Sequence, residues 1–169
     1  MHRRTFFRIT AGAGAWLVAR RATAQQGTPG SAARPVAKAP TQAALPPMTV
    51  YKSAACGCCA AWVEHARKAG FTVRIVDTED LASVKREMGI PARLHSCHTV
   101  VMGNYLLEGH VPASDVKRLL REKPAVRGLA VPGMPVGAPG MEQGPSANYD
   151  RYEVLAFMEN GATSVYARY

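Results

Sequence analysis

Between Met48 and Glu122 the chain switches repeatedly between two hydrophobic periods, and that alternation restricts its fold more than any other feature. Met48 to Lys52 reads as a short strand, and Ala54-Ala55-Cys56-Gly57 as the turn behind it. Cys58 to Ala69 then carries helical spacing at Cys59, Trp62, Val63 and Ala66, stopped by Gly70. Phe71 to Val76 is a β-branched run, and Glu79 to Met88 a short helix ended by Gly89, with Pro91 close behind. Thr99 to Met102 and Tyr105 to Glu108 flank Gly103-Asn104, a hairpin signal. Ser114 is the expected N-cap of a helix from Asp115 to Glu122, which Pro124 closes off.

The resulting order, β-α-β-α-β-β-α, is that of a thioredoxin-like α/β domain. From Leu129 to Gly144 the glycines and prolines are dense enough to exclude a helix or a central strand, so a long loop is expected. Tyr152 to Met158 and Ala162 to Ala167 flank Asn160-Gly161 and read as a C-terminal β-hairpin. The folded domain is therefore expected over 48–169.

Ahead of it lie two segments of different character. Residues 1–24 read as a signal peptide of twin-arginine type: Arg3-Arg4-Thr5-Phe6-Phe7-Arg8, the apolar run Ile9 to Ala19, then the small residues Ala22-Thr23-Ala24. The apolar run has 11 residues, well short of the roughly 20 that span a bilayer. An ordinary secretory signal with adjacent arginines is the alternative, and both readings export the protein to the periplasm with no stable membrane insertion after cleavage. Residues 25–47, rich in Ala, Pro, Gly, Ser and Thr, read as a disordered linker.

The signal also explains most of the charge. Five of 21 basic residues fall in the first 24 positions, where there is no acid, so the rest of the chain has 16 basic against 12 acidic residues, a balance of +4. No aromatic-basic interleaving accompanies it, and nucleic-acid binding is not expected.

The chemistry lies in four cysteines. Cys56-Gly57-Cys58-Cys59 stands where a strand passes into a helix N-terminus, whose peptide dipoles favour thiolates. Cys56 and Cys59 have the Cys-x-x-Cys spacing of a redox pair, but Cys58 beside them would scramble a simple disulfide. Cys97, in the loop before the hairpin, faces the same helix N-terminus in a thioredoxin-like fold. Four sulfurs then converge, a set suited to copper(I), which tolerates low coordination and bridging thiolates; zinc and iron-sulfur spacings match less well. Two alternatives stay open. One is a thiol-disulfide oxidoreductase using Cys56 and Cys59. The other is a module stabilised by two structural disulfides, at least one of which would have to reach Cys97.

These residues come with an ordered set of further motifs. Cys56-Gly57-Cys58-Cys59 is followed by Trp62, His65 and Gly70-Phe71, then by Ser96-Cys97-His98-Thr99 and Glu108-Gly109-His110-Val111-Pro112. Gly133-Met134-Pro135 and Pro139-Gly140-Met141-Glu142 complete the series. From about Met48 to Tyr169 the chain resembles the CopG-type copper-resistance family of small periplasmic proteins. The resemblance implies a thioredoxin-like fold, copper(I) held by Cys56, Cys58, Cys59 and Cys97 in a site that extends to a multinuclear cluster, and a redox role in copper handling. Copper ions and other periplasmic copper-handling proteins are the implied partners.

Around this set stand weaker candidates. Met134 and Met141 are soft thioether donors, or apolar pegs for the Gly/Pro loop. His98 adjoins Cys97, but strand alternation would turn it away from its neighbour's face. His110 reads as a helix-entry residue, His65 as a hydrogen-bonding group on the first helix, His95 as surface, and Trp62 as core. Glu64 and Glu108 have no carboxylate partner at a telling spacing, so hydrolytic chemistry has no support.

Overall fold

A computed structural model describes residues 44–169. The signal segment 1–24 and the linker up to residue 43 lie outside the described residues. Strand β1 (Met48–Lys52) opens the domain as expected, and Leu45, inside the expected linker, already packs on the core. Helix α1 (Gly57–Lys68), strand β2 (Val73–Asp77), helix α2 (Leu81–Glu87), strands β3 (Thr99–Met102) and β4 (Tyr105–Glu108) and helix α3 (Ala113–Glu122) follow in the expected order. Strands β5 (Gly128–Ala130), β6 (Glu153–Phe157) and β7 (Thr163–Arg168) complete one seven-stranded sheet, ordered β2-β1-β3-β4-β5-β6-β7.

The alternation of side chains sorts the core onto the two faces of this sheet. Val50, Val100, Leu107 and Leu129 meet Trp62, Val63 and Ala66 of α1 and Val116 and Leu119 of α3. Their neighbours Leu106 and Ala130 face the other way, onto Ile90, Leu94 and Phe157, where the segment after α2 closes the sheet. Burying each large apolar side chain contributes about 1.5–3 kcal/mol. Trp62, fully buried, also donates its indole N–H to the Val111 carbonyl at 2.9 Å, which ties α1 to the chain entering α3.

Two expectations need correcting. Leu129 and Ala130 are not loop: with Gly128 they form β5, a central strand parallel to β4 and antiparallel to β6. Three residues suffice because both flanks supply partners, and Gly128 is required there, since a Cβ would lie 1.9 Å from the Leu106 carbonyl oxygen. The C-terminal hairpin of β6 and β7 forms as expected, and through β5 it joins the main sheet. Finally, Ser114 is not the N-cap of α3, which begins after Pro112 with no capping side chain of its own. The imidazole of His65 takes the cap's place: its Nε2 accepts the Ala113 N–H at 3.1 Å.

Candidate metal centre

β1 ends at Lys52, and the chain enters α1 through Cys56. Its sulfur is the N-cap acceptor, taking the Cys59 N–H at 3.4 Å, so the first turn of the helix is capped by a cysteine sulfur. Cys56 and Cys59 are joined as a disulfide, with their Cα atoms 5.3 Å apart. Cys58 and Cys97 are free thiols. The Cys58 sulfur lies 3.5 Å from that of Cys56 and 3.9 Å from that of Cys97. All four sulfurs fall within 4.8 Å of one another. The structural-disulfide alternative, which required a bridge to Cys97, does not hold: the one bridge closes the Cys-x-x-Cys pair.

Cys97 reaches the cluster from the loop before β3, and a second group forms around it. The β3–β4 register pairs Met102 with Tyr105 and Thr99 with Glu108. Extended two residues further, it sets Cys97 opposite His110. His110 Nε2 lies 2.9 Å from the Cys97 sulfur, and its Nδ1 lies 2.8 Å from the Pro139 carbonyl oxygen. A neutral imidazole donating Nδ1–H to that carbonyl keeps its lone pair on Nε2, facing the sulfurs. His98 Nδ1 lies 3.2 Å from the same sulfur, while its Nε2 is buried without a hydrogen-bond partner. His98 precedes β3, so strand alternation does not turn it away. Both histidines are fully buried, and Cys97, His98 and His110 also lie within 4.8 Å of one another.

Burial sets the electrostatics. It holds His98 well below the usual imidazole range, aided by the nearby His110 and Lys85. It lowers His110 as well, against the opposing pull of the Pro139 carbonyl and Glu142. The Cys97 thiol is pushed up to about 12, first by burial and then by repulsion from Cys58. Without a cation this sulfur stays protonated, whereas a coordinating metal deprotonates a thiol outright. Soft sulfurs, neutral imidazole nitrogens and an orphaned buried Nε2 are a donor set that fits a soft metal ion.

The Gly/Pro loop covers this site. Gly140, at φ +84°, sits so close to α1 that a Cβ would lie 2.7 Å from the Trp62 nitrogen and 2.9 Å from the Cys58 carbonyl oxygen. Met141 is buried and Met134 is 55% exposed, so only Met141 pegs the loop. His65 bonds the backbone, as expected of it. His95 is half-buried, with Nε2 3.0 Å from the Ile90 carbonyl oxygen, and is not a simple surface residue.

Sequence reasoning missed two residues. His110 was recoverable from the hairpin register alone. Glu108, fully buried, pairs with Lys85 at 2.5 Å, a contact between elements that no spacing announces.

A mixed α/β domain brings together four cysteines and two buried histidines that could hold a metal ion. A family model described as protein of unknown function, DUF411, matches residues 94–141, which include Cys97, His98, His110 and most of the Gly/Pro loop but not the Cys56–Cys59 run. No curated protein matches. Two solved structures, forms 1 and 2 of copper resistance protein CopG, each align at 42% identity and a TM-score of 0.69, covering 74% of this chain and 98% of theirs. The chain belongs to the CopG family of copper resistance proteins. Among the described residues no helix is long and apolar enough to cross a membrane.

Proposed function

We propose that this chain is an exported, periplasmic copper(I)-binding protein that acts in copper tolerance by sequestration, transfer or copper redox change. Its ligands are Cys56, Cys58, Cys59 and Cys97. The observation that carries this reading is the arrival of Cys97 from a separate loop within 4.8 Å of the three helix-start sulfurs. A disulfide enzyme needs two sulfurs, and a structural bridge needs no third and fourth beside it. Four thiolates in this space can bridge more than one copper(I). His110 and His98 add nitrogen donors of the kind copper(II) prefers, which supports a redox change at the same place. Met141 and Met134 remain candidates for thioether contacts on the covering loop. The parallel β1–β2 pair beside the antiparallel β1–β3–β4 strands supports the thioredoxin-like description.

Loading requires the Cys56–Cys59 bridge to be reduced, so the two forms of the protein are a closed disulfide and an open thiolate site. That bridge is also the observation favouring the second reading, a thiol-disulfide oxidoreductase. Metal analysis of protein purified from copper-fed periplasm separates them, with insulin reduction assayed on the same material. Bound copper with negligible insulin turnover is expected. Copper-free protein with brisk turnover would leave the oxidoreductase.

A further inference from the structure

The buried ion pair of Glu108 and Lys85 is unused by any of this chemistry, yet it sits directly behind the Cys97 arm. Glu108 is fully buried and Lys85 is 4% exposed. Glu108 Oε1 accepts the Ser96 N–H at 2.6 Å, and Oε2 accepts the Thr99 hydroxyl at 2.6 Å. One carboxylate therefore holds both ends of Ser96-Cys97-His98-Thr99. Lys85, from α2, donates to Glu108 at 2.5 Å and to Thr99 Oγ1 at 2.9 Å, which fixes the carboxylate's orientation. Two further contacts confine the same tetrapeptide. Gly109 donates its N–H to the His98 carbonyl at 2.9 Å, and a Cβ on Gly109 would lie 2.4 Å from Ser96 Oγ, so the arm is pressed flat on β4's end.

Stability does not account for such a pair. Two charges lose their water on burial, and a well-packed apolar pair of similar volume is often as stable or more so. What an apolar pair cannot do is bond a backbone N–H and a hydroxyl three residues apart at once.

We propose that Glu108, oriented by Lys85, is the positioning residue of the metal site: it clamps the Ser96–Thr99 arm and thereby sets the Cys97 sulfur against Cys58. The metal half of this statement rests on the function proposed above; the placement of the sulfur does not. Partners behind a metal ligand matter in this way generally, and their loss costs about 10- to 100-fold in metal affinity.

The test uses two variants, Lys85→Met/Glu108→Leu, which replaces the pair by apolar volume, and Glu108→Gln, which keeps the shape and one of the two ties. The first readout needs no copper. With Cys56–Cys59 closed, Cys58 and Cys97 are the remaining thiols, and diamide takes their two electrons and two protons to close a Cys58–Cys97 disulfide, followed by peptide mass spectrometry. The second readout is copper(I) affinity of the fully reduced proteins against a chromogenic chelator. A double variant that melts like the wild type, cross-links about tenfold more slowly and binds copper(I) at least about tenfold more weakly is the expected result. A folded double variant with wild-type cross-linking overturns the clamp. If that variant does not fold, Glu108→Gln decides: severalfold slower cross-linking upholds the clamp and an unchanged rate refutes it. Wild-type protein that takes up no copper(I) would defeat the proposed function, and the cross-linking rate would still judge the clamp.

Discussion

The sulfur of Cys97 lies 2.9 Å from Nε2 of His110, whose other nitrogen faces the carbonyl of Pro139 at 2.8 Å. Three segments far apart in sequence thus meet at one thiol. The carbonyl selects the imidazole tautomer, the tautomer presents a lone pair, and the lone pair faces the sulfur cluster. His110→Gln is expected to weaken copper(I) binding by about 10- to 100-fold and to shift the thiolate-to-copper absorbance. A chelator competition on the variant checks this. An unaltered spectrum and affinity would make His110 a packing residue only.

The covering loop offers a second check. Gly140→Ala places a methyl group against the backbone of Cys58 and Trp62, at a left-handed φ. Left-handed backbone alone costs roughly 1–2 kcal/mol for a residue with a Cβ, and the contacts add to it. A loss of about 2 kcal/mol or more in urea unfolding is expected, with changed tryptophan fluorescence. Wild-type stability would mean that the loop does not seat on α1.

His65 gives a pH prediction. Its Nε2 accepts the Ala113 N–H and substitutes for a helix cap, and burial lowers its pKa, aided by Lys68 and opposed by Glu142. The folded state therefore holds this proton less tightly than the unfolded chain, whose value is near 6.5. Where the unfolded state binds more protons, stability rises with pH. The contribution is fully present above about 6.5 and declines as pH falls below it. Melting curves from pH 7.5 to 5 on the wild type and His65→Gln should diverge at the upper end and converge toward the lower. Parallel curves would exclude the His65 cap.

How much of this was legible beforehand depended on the range of the interactions. Cys56–Cys59 at a strand-to-helix switch, and Cys97 before the hairpin, could be placed because periodicity and turn residues are local signals. The Gly103-Asn104 turn even specified the register that pairs Cys97 with His110, although His110 by itself reads only as a helix-entry residue. Strand β5 was hidden because three residues beside a Gly/Pro run carry no period, and their pairing comes from β4 and β6 on either side. Ser114 was a sound cap by local chemistry and lost to His65, which lies 48 residues before the Ala113 N–H it accepts. The Lys85–Glu108 pair was invisible for the same reason: burial and partnership are set by tertiary packing.

The disulfide makes a simple count decisive. Protein isolated under oxidising conditions should show two reactive thiols, Cys58 and Cys97, after denaturation without reductant. All four should appear after reduction. Only the reduced form should take up copper(I) at the full four-sulfur site. Equal loading of both forms would show that Cys56 and Cys59 are not ligands.

The shared site itself is tested most directly by anaerobic copper(I) titration of reduced wild type and Cys97→Ser, with apo-protein melting measured on the same samples. Serine is close to cysteine in size, and Cys97 is a free thiol on a loop, so melting should hardly change. Copper stoichiometry should fall, because three sulfurs from one helix start cannot enclose what four from two segments can. Full copper loading by Cys97→Ser would contradict a copper site shared by Cys56, Cys58, Cys59 and Cys97.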